Sequence, residues 1–171
     1  SELIQYTNSV LRTTQKYICV SRPRRFGKSM AANMLTAYYS RGCDSREMFQ
    51  GLKIAKHTDF EKHLNQYNVI HLNMRDYLTE SENMKQLIQF VEEDLLDELQ
   101  QEFADLRMPR RKTLVKVLEQ AFAQYKIPFV FIIDEWDCIF RVHKSDAASQ
   151  KTYLDFLRNL LKDKSYIALA Y

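Results

Sequence analysis

The sequence predicts an α/β fold in which helices flank a mostly parallel sheet. Runs of β-branched and aromatic residues alternate along the chain with segments of helical apolar spacing, which is typical of this class. The clearest strand is the apolar run Phe129–Ile133, which follows Pro128 and suits a strand buried on both faces. A chain of 171 residues predicts one domain, residues 1–171, with a single sizeable core.

The first part of the chain predicts a helix, a strand, a tight loop and a second helix. Apolar residues at helical spacing indicate a helix over residues 2–13, and Tyr17–Val20 predicts a short buried strand. The loop carries Gly27-Lys28-Ser29, and the helix continues through Met30–Tyr39 without Pro or Gly. Strand, loop, Gly-Lys-Ser and helix form the arrangement of a phosphate-binding loop, the Walker A motif.

Each residue of Gly27-Lys28-Ser29 has a chemical reason to be there. Lys28 would reach the β- and γ-phosphates, the Ser29 hydroxyl would ligate Mg²⁺, and Gly27 would let the backbone approach the phosphates. Helix N–H groups and the helix dipole would favour the negative charge. The usual pattern has a first Gly where this chain has Arg22, so a helix start with a solvated basic face is the alternative.

The middle of the chain predicts a strand and two helices. The strand covers residues 68–74, and Thr79 with Glu82 fits a capping box at the start of a long amphipathic helix. A basic turn, residues 107–112, separates it from the helix Leu114–Tyr125; a solvated loop is favoured there, with nucleic-acid contact the alternative. His57 and His63 are interpreted as surface or capping side chains, not metal ligands.

The strand Phe129–Ile133 ends in Asp134 and Glu135, where open α/β sheets bind ligands. Asp134 would hold Mg²⁺ through its water shell, and Glu135 would polarise the attacking water, as in a Walker B motif. The alternative is a helix cap formed by Asp134 or Asp137. A last helix near residues 153–161 and a last strand over residues 166–170 complete the order.

The segment Arg-Pro-Arg-Arg-Phe-Gly-Lys-Ser (22–29), with the later Ile-Ile-Asp-Glu-Trp-Asp (132–137), resembles the predicted AAA-ATPase-like family of bacterial phosphate-loop proteins. The resemblance covers nearly the whole chain and implies a three-layer P-loop NTPase of the AAA/ASCE type. It also implies that the strand after Asp-Glu inserts between the Asp-Glu strand and the phosphate-loop strand, that a sensor residue would begin near Tyr171, and that a C-terminal nuclease-like domain often follows.

The candidate site residues fall into three groups. The catalytic candidates are Lys28 and Glu135, and the metal ligands are Ser29 and Asp134. For Arg24 and Arg25, phosphate contact and a solvent-facing position both stay open. The candidate nucleotide-binding residues are Arg24, Arg25, Phe26, Gly27, Lys28, Ser29 and Met30.

These residues predict an Mg²⁺–ATP-binding, ATP-hydrolysing domain that regulates or drives an attached module. The alternative is a nucleotide-binding switch or nucleic-acid-associated module with little turnover. Asp134-Glu135-Trp136-Asp137 also matches a helicase motif, but the sequence shows no second RecA-like domain. A nuclease hypothesis is disfavoured as well, because no lysine stands two residues after an acidic pair.

Composition limits the partners and the cell compartment that can be expected for the protein. The net charge of +3 is too small to argue for nucleic acid, and no apolar run approaches a membrane span. Three scattered cysteines predict reduced thiols in a cytoplasmic protein. Because the sequence begins with Ser1, we expect a fragment of a longer protein. The resemblance places the start of the sensor residue at Tyr171, so we expect truncation at both ends, and assembly into oligomers stays open.

Overall fold

The computed structural model describes residues 1–20 and 27–171. It divides into two compact units. The sheet unit comprises residues 1–72, 127–134 and 167–171, and the helical unit comprises residues 73–126 and 135–166.

The sheet unit is built on three strands in the order β1-β2-β3. They are β1 (Asn68–Asn73), β2 (Phe129–Asp134) and β3 (Ile167–Ala170). β2 and β3 are parallel, with Phe129 opposite Ile167 and Phe131 opposite Ala170. The five apolar residues of β2 are all buried, which confirms the predicted central strand.

A short segment next to β3 extends the sheet on its far side. Tyr17 forms a parallel bridge with Ala170, and the Ile18 N–H donates to the Ala170 carbonyl at 2.8 Å. β3 therefore lies between β2 and this segment, as the resemblance implied. The prediction of a buried strand over Tyr17–Val20 is wrong, because these residues are not assigned to a strand, Tyr17 forms an isolated bridge, and both Tyr17 and Cys19 are exposed.

The helices of the sheet unit precede β1. They are α1 (Glu2–Val10), α2 (Lys28–Tyr39), α3 (Arg46–Gln50), a 3-10 helix (Lys53–Lys56) and α4 (Phe60–His63). α2 packs against β2. Their apolar side chains form one core with β2 and β3, which contains Ile4, Val10, Ala32, Leu35, Tyr38, Tyr39, Phe49, Ile54, Phe60, Leu64, Tyr67, Val130, Ile132, Ala168 and Leu169.

The helical unit contains five helices: α5 (Met74–Glu80), α6 (Met84–Glu102), α7 (Leu114–Tyr125), α8 (Cys138–Val142) and α9 (Ala147–Leu161). α6 packs against α5, α7 and α9. Its predicted apolar stripe is confirmed, since Leu87, Val91, Leu95, Leu99 and Phe103 are buried.

The predicted capping box between Thr79 and Glu82 is wrong. Thr79 lies inside α5, and its hydroxyl donates to the Arg75 carbonyl at 2.9 Å. The N-cap of α6 is Asn83, whose side chain accepts from the Gln86 N–H at 3.0 Å. Asn83, four positions after Thr79, therefore takes the capping role.

None of the helices in the described ranges is long and apolar enough to cross a bilayer.

Candidate functional site

The sheet unit places the Gly-Lys-Ser residues at the start of α2. Gly27 is the N-cap and adopts the left-handed conformation, with φ of 73° and ψ of 24°. The carbonyl of Gly27 accepts from the Ala31 N–H at 2.9 Å, so helical hydrogen bonding begins at this residue. The first N–H groups of a helix have no intrahelical acceptor and can donate to an anion.

The side chains at the start of α2 differ in exposure. Lys28 is half-buried, whereas Ser29 is exposed and Met30 is 76% exposed. No acidic residue lies in this first turn. The first turn of α2 therefore presents a cation, a hydroxyl and backbone donors, with no carboxylate of its own.

Asp134 lies in the same unit, at the carboxyl end of β2. Its side chain is half-buried. Tyr171 continues the pairing beyond β3, because its N–H donates to the Phe131 carbonyl at 2.8 Å and its carbonyl accepts from the Ile133 N–H at 2.7 Å. This end of the sheet is where ligands bind in open α/β folds.

Glu135, the next residue, belongs to the helical unit and begins a tight turn before α8. Its φ is 53°, a left-handed conformation that is uncommon for a residue with a side chain. The Glu135 carbonyl accepts from the Cys138 N–H at 2.9 Å, which closes the turn. The Glu135 carboxylate forms an ion pair with the Arg141 guanidinium.

Arg141 is the partner of these carboxylates that sequence reasoning missed. It also donates to Asp137 Oδ2 at 2.7 Å, so one guanidinium holds both carboxylates. Burial alone would lower the pKa of Arg141, but its hydrogen bond to Glu135 and the charge of Asp137 raise that pKa above its ordinary value. The four-residue spacing from Asp137 to Arg141 was the available signal, since such pairs meet on one helix face.

Asp137 occupies the N-cap position of α8, as the alternative interpretation expected of Asp134 or Asp137. Its side chain makes no capping hydrogen bond, however, and pairs with Arg141 instead. The neighbouring thiol of Cys138 is buried, and burial raises its pKa to about 11. Such a thiol stays protonated at neutral pH and is a poor nucleophile.

Three of the predicted nucleotide contacts, Arg24, Arg25 and Phe26, lie outside the described residues. Within the described ranges, no group of three or more His, Cys, Asp or Glu side chains is arranged to hold a metal ion. The histidine interpretation is wrong for His63, which is only 8% exposed and lies 2.7 Å from the Tyr67 hydroxyl. His63 is a core side chain.

Comparison with known proteins identifies one family. A family model described as predicted AAA-ATPase matches residues 4–167. No curated protein and no solved structure matches the chain. Because the model spans almost the entire sequence, the chain belongs to the predicted AAA-ATPase family.

Proposed function

We propose that this chain binds Mg²⁺–ATP through the start of α2 and hydrolyses it with Glu135 as the water-orienting group. The observation that carries the proposal is the placement of Lys28 and Ser29 at the first turn of a helix that packs on β2, the strand ending in Asp134. Family membership supports the same nucleotide. Lys28 would contact the β- and γ-phosphates and stabilise the charge that develops there.

The Ser29 hydroxyl and the Asp134 carboxylate fit Mg²⁺ in their chemistry. Both present hard oxygen ligands, and one is exposed while the other is half-buried. Mg²⁺ usually takes one or two protein oxygens and completes its octahedron with water and substrate phosphates. A dedicated cluster of three carboxylates is therefore not required. Bound Mg²⁺ would neutralise charge on the phosphates.

The test of binding is a calorimetric titration with Mg²⁺–ATP and Mg²⁺–ADP. Lys28→Ala should raise the dissociation constant at least tenfold, about 1.4 kcal/mol, because it removes the cation at the phosphates. Lys85→Ala is the matched control, since Lys85 is an exposed lysine in the first turn of α6. Equal affinity of the parent and Lys28→Ala would contradict the proposal.

The test of hydrolysis is the release of phosphate by the parent and by Glu135→Gln. We expect the variant to bind Mg²⁺–ATP like the parent and to lose turnover, because a neutral amide is a much weaker base and hydrogen-bond acceptor for the attacking water than a carboxylate. Equal rates would favour the second candidate, a nucleotide-binding switch that regulates an attached module without appreciable turnover. In either case we propose that nucleotide binding regulates an attached, nuclease-like module.

A further inference from the structure

The turn that follows Asp134 is held by a three-residue cluster, Glu135, Asp137 and Arg141, which we call the arginine clamp. Arg141 Nη2 donates to the Glu135 carboxylate, and Arg141 Nη1 donates to Asp137 Oδ2 at 2.7 Å. All three side chains are half-buried. A guanidinium presents its donors in a rigid planar fork, so two carboxylates that share it are fixed relative to each other.

The arginine clamp is partly shielded from solvent. Asp137 Oδ1 is buried and has no hydrogen-bond partner within the described ranges. On the same turn, Trp136 packs edge-on against Phe140 with ring centroids 5.8 Å apart, and Phe140 packs against Tyr153 at 6.2 Å. Ion pairs shielded in this way are screened less by solvent than exposed ones.

The backbone of Glu135 is also held in an unusual conformation, with a φ of 53°. A left-handed conformation is disfavoured for a residue with a side chain, because its Cβ crowds the following carbonyl oxygen. Such outliers persist where the surrounding structure enforces them, and they cluster at functional sites. Here the Cys138 N–H and Arg141 together hold Glu135 by its backbone and its carboxylate.

We propose that Arg141 is a positioning residue that holds the Glu135 carboxylate in the orientation from which it aligns the attacking water. This inference rests on the proposed hydrolysis. Asp137 supports it by holding the second nitrogen of Arg141. Orientation is the main contribution that a protein makes to phosphoryl transfer, since misplacing a reacting group by about 1 Å can cost a hundredfold in rate.

The arginine clamp would serve the hydrolysis of the bond between the γ-phosphorus of ATP and its bridging oxygen. The oxygen of the water forms a bond to the γ-phosphorus while the bond from that phosphorus to the bridging oxygen breaks. ADP keeps the electron pair of the broken bond, and the proton lost by the water ends on inorganic phosphate. Glu135 accepts a hydrogen bond from the water during the attack, and Arg141 keeps that carboxylate in place.

The first arm of the test needs no nucleotide. Restricted rotation of the Arg141 guanidinium should separate its Nη signals in ¹⁵N NMR spectra, whereas the exposed Arg158 should give averaged signals. Glu135→Ala and Asp137→Ala should each free this rotation, because each removes one acceptor. If the Nη signals of Arg141 in the parent are averaged like those of Arg158, Arg141 is not held by the two carboxylates and the proposal is overturned.

The second arm measures single-turnover hydrolysis and Mg²⁺–ATP affinity on the same samples. Arg141→Ala should lower the rate about tenfold or more while the dissociation constant stays within twofold of the parent. Arg141→Lys should recover part of the rate, and Arg158→Ala should match the parent. Arg141→Ala added to Glu135→Gln should cause no further loss, because Arg141 acts through Glu135.

The outcomes separate the two proposals. A parent rate no higher than that of Glu135→Gln overturns the proposed hydrolysis and the positioning role together. If the parent hydrolyses ATP faster than Glu135→Gln, and Arg141→Ala hydrolyses it at least as fast as the parent, only the positioning role of Arg141 is overturned. An equal loss from Arg141→Ala in the parent and in Glu135→Gln would assign Arg141 a purely structural part.

Discussion

The Tyr39 hydroxyl donates a 2.7 Å hydrogen bond to Asn8 Oδ1, which joins α2 to α1 inside the core of the sheet unit. The Asn8 amide in turn donates to the Tyr38 hydroxyl at 3.0 Å, and that hydroxyl donates to the Phe60 carbonyl at 2.9 Å. Burial raises the pKa of Tyr39, and it raises that of Tyr38 to about 12, so both remain neutral donors. The helix that begins with Lys28 is thus anchored at its far end.

Tyr39→Phe should destabilise the protein by about 1–3 kcal/mol, because it leaves Asn8 Oδ1 buried without this donor. The measurement is the midpoint of urea unfolding, compared at an unchanged dependence of the free energy of unfolding on urea concentration. Tyr6→Phe is the control, since Tyr6 is 52% exposed, and its effect should stay within about 0.5 kcal/mol. Equal midpoints for the two variants would contradict the assigned role of the Tyr39 hydroxyl.

His63 should make the stability depend on pH. Burial lowers the pKa of His63; the charges of Lys62 and Arg12 lower it further, and that of Asp59 opposes them. The unfolded chain therefore binds a proton near pH 6.5 that the folded chain rejects, so this stability is present above about pH 6.5 and lost as the pH falls below it.

His63→Gln should accordingly reduce the difference between the urea midpoints at pH 7.5 and pH 5.5. His71→Gln provides the comparison, because His71 is exposed on β1. We expect this second variant to keep the pH dependence of the parent. If the two variants change with pH in parallel, His63 is not the group responsible.

Periodicity predicted the elements whose burial is set by their own sequence. β2 is apolar at five successive positions and α6 carries one continuous stripe, so each could be recognised without knowing its partner. The segment at Tyr17 behaves differently. It pairs with Ala170, about 150 residues away in the chain, and its burial depends on that distant partner. The residues around Tyr17 alone therefore could not predict how exposed the segment is.

The candidate site divides in the same way. The spacing of Gly27, Lys28 and Ser29 placed them at a helix start, because phosphate-loop chemistry is local in sequence. Arg141 could not be assigned to Glu135 from spacing alone. Their pairing depends on the left-handed backbone at Glu135, which turns its carboxylate toward α8, and nothing in the residue type predicts this conformation.

Asn83 should stabilise the start of α6 through its cap. Its side chain accepts from the Gln86 N–H at 3.0 Å, and Gln86 Oε1 accepts from the Glu82 N–H at 2.6 Å. Asn83→Ala should cost about 1 kcal/mol in the free energy of unfolding. Asn159→Ala, at an exposed position inside α9, should be neutral or slightly stabilising. A neutral Asn83→Ala would show that the cap contributes nothing.

Gly27 and Gly51 form a matched pair that isolates the effect of backbone conformation. Apart from the chain neighbours, no described atom lies within 4 Å of an added Cβ at either position, so neither substitution by Ala clashes with the part of the chain that the structure describes. Gly27 has a φ of 73°, however, whereas Gly51 has a φ of −79°. Only the first conformation penalises a side chain.

Gly27→Ala should therefore lower the free energy of unfolding by about 1–2 kcal/mol, the cost of a left-handed residue that carries a Cβ. Gly51→Ala should raise it by about 0.4–1 kcal/mol, since it reduces the freedom of the unfolded chain at no strain in the folded one. Urea titrations of both variants beside the parent measure the difference. Shifts of the same sign and size would mean that α2 does not begin with a left-handed residue.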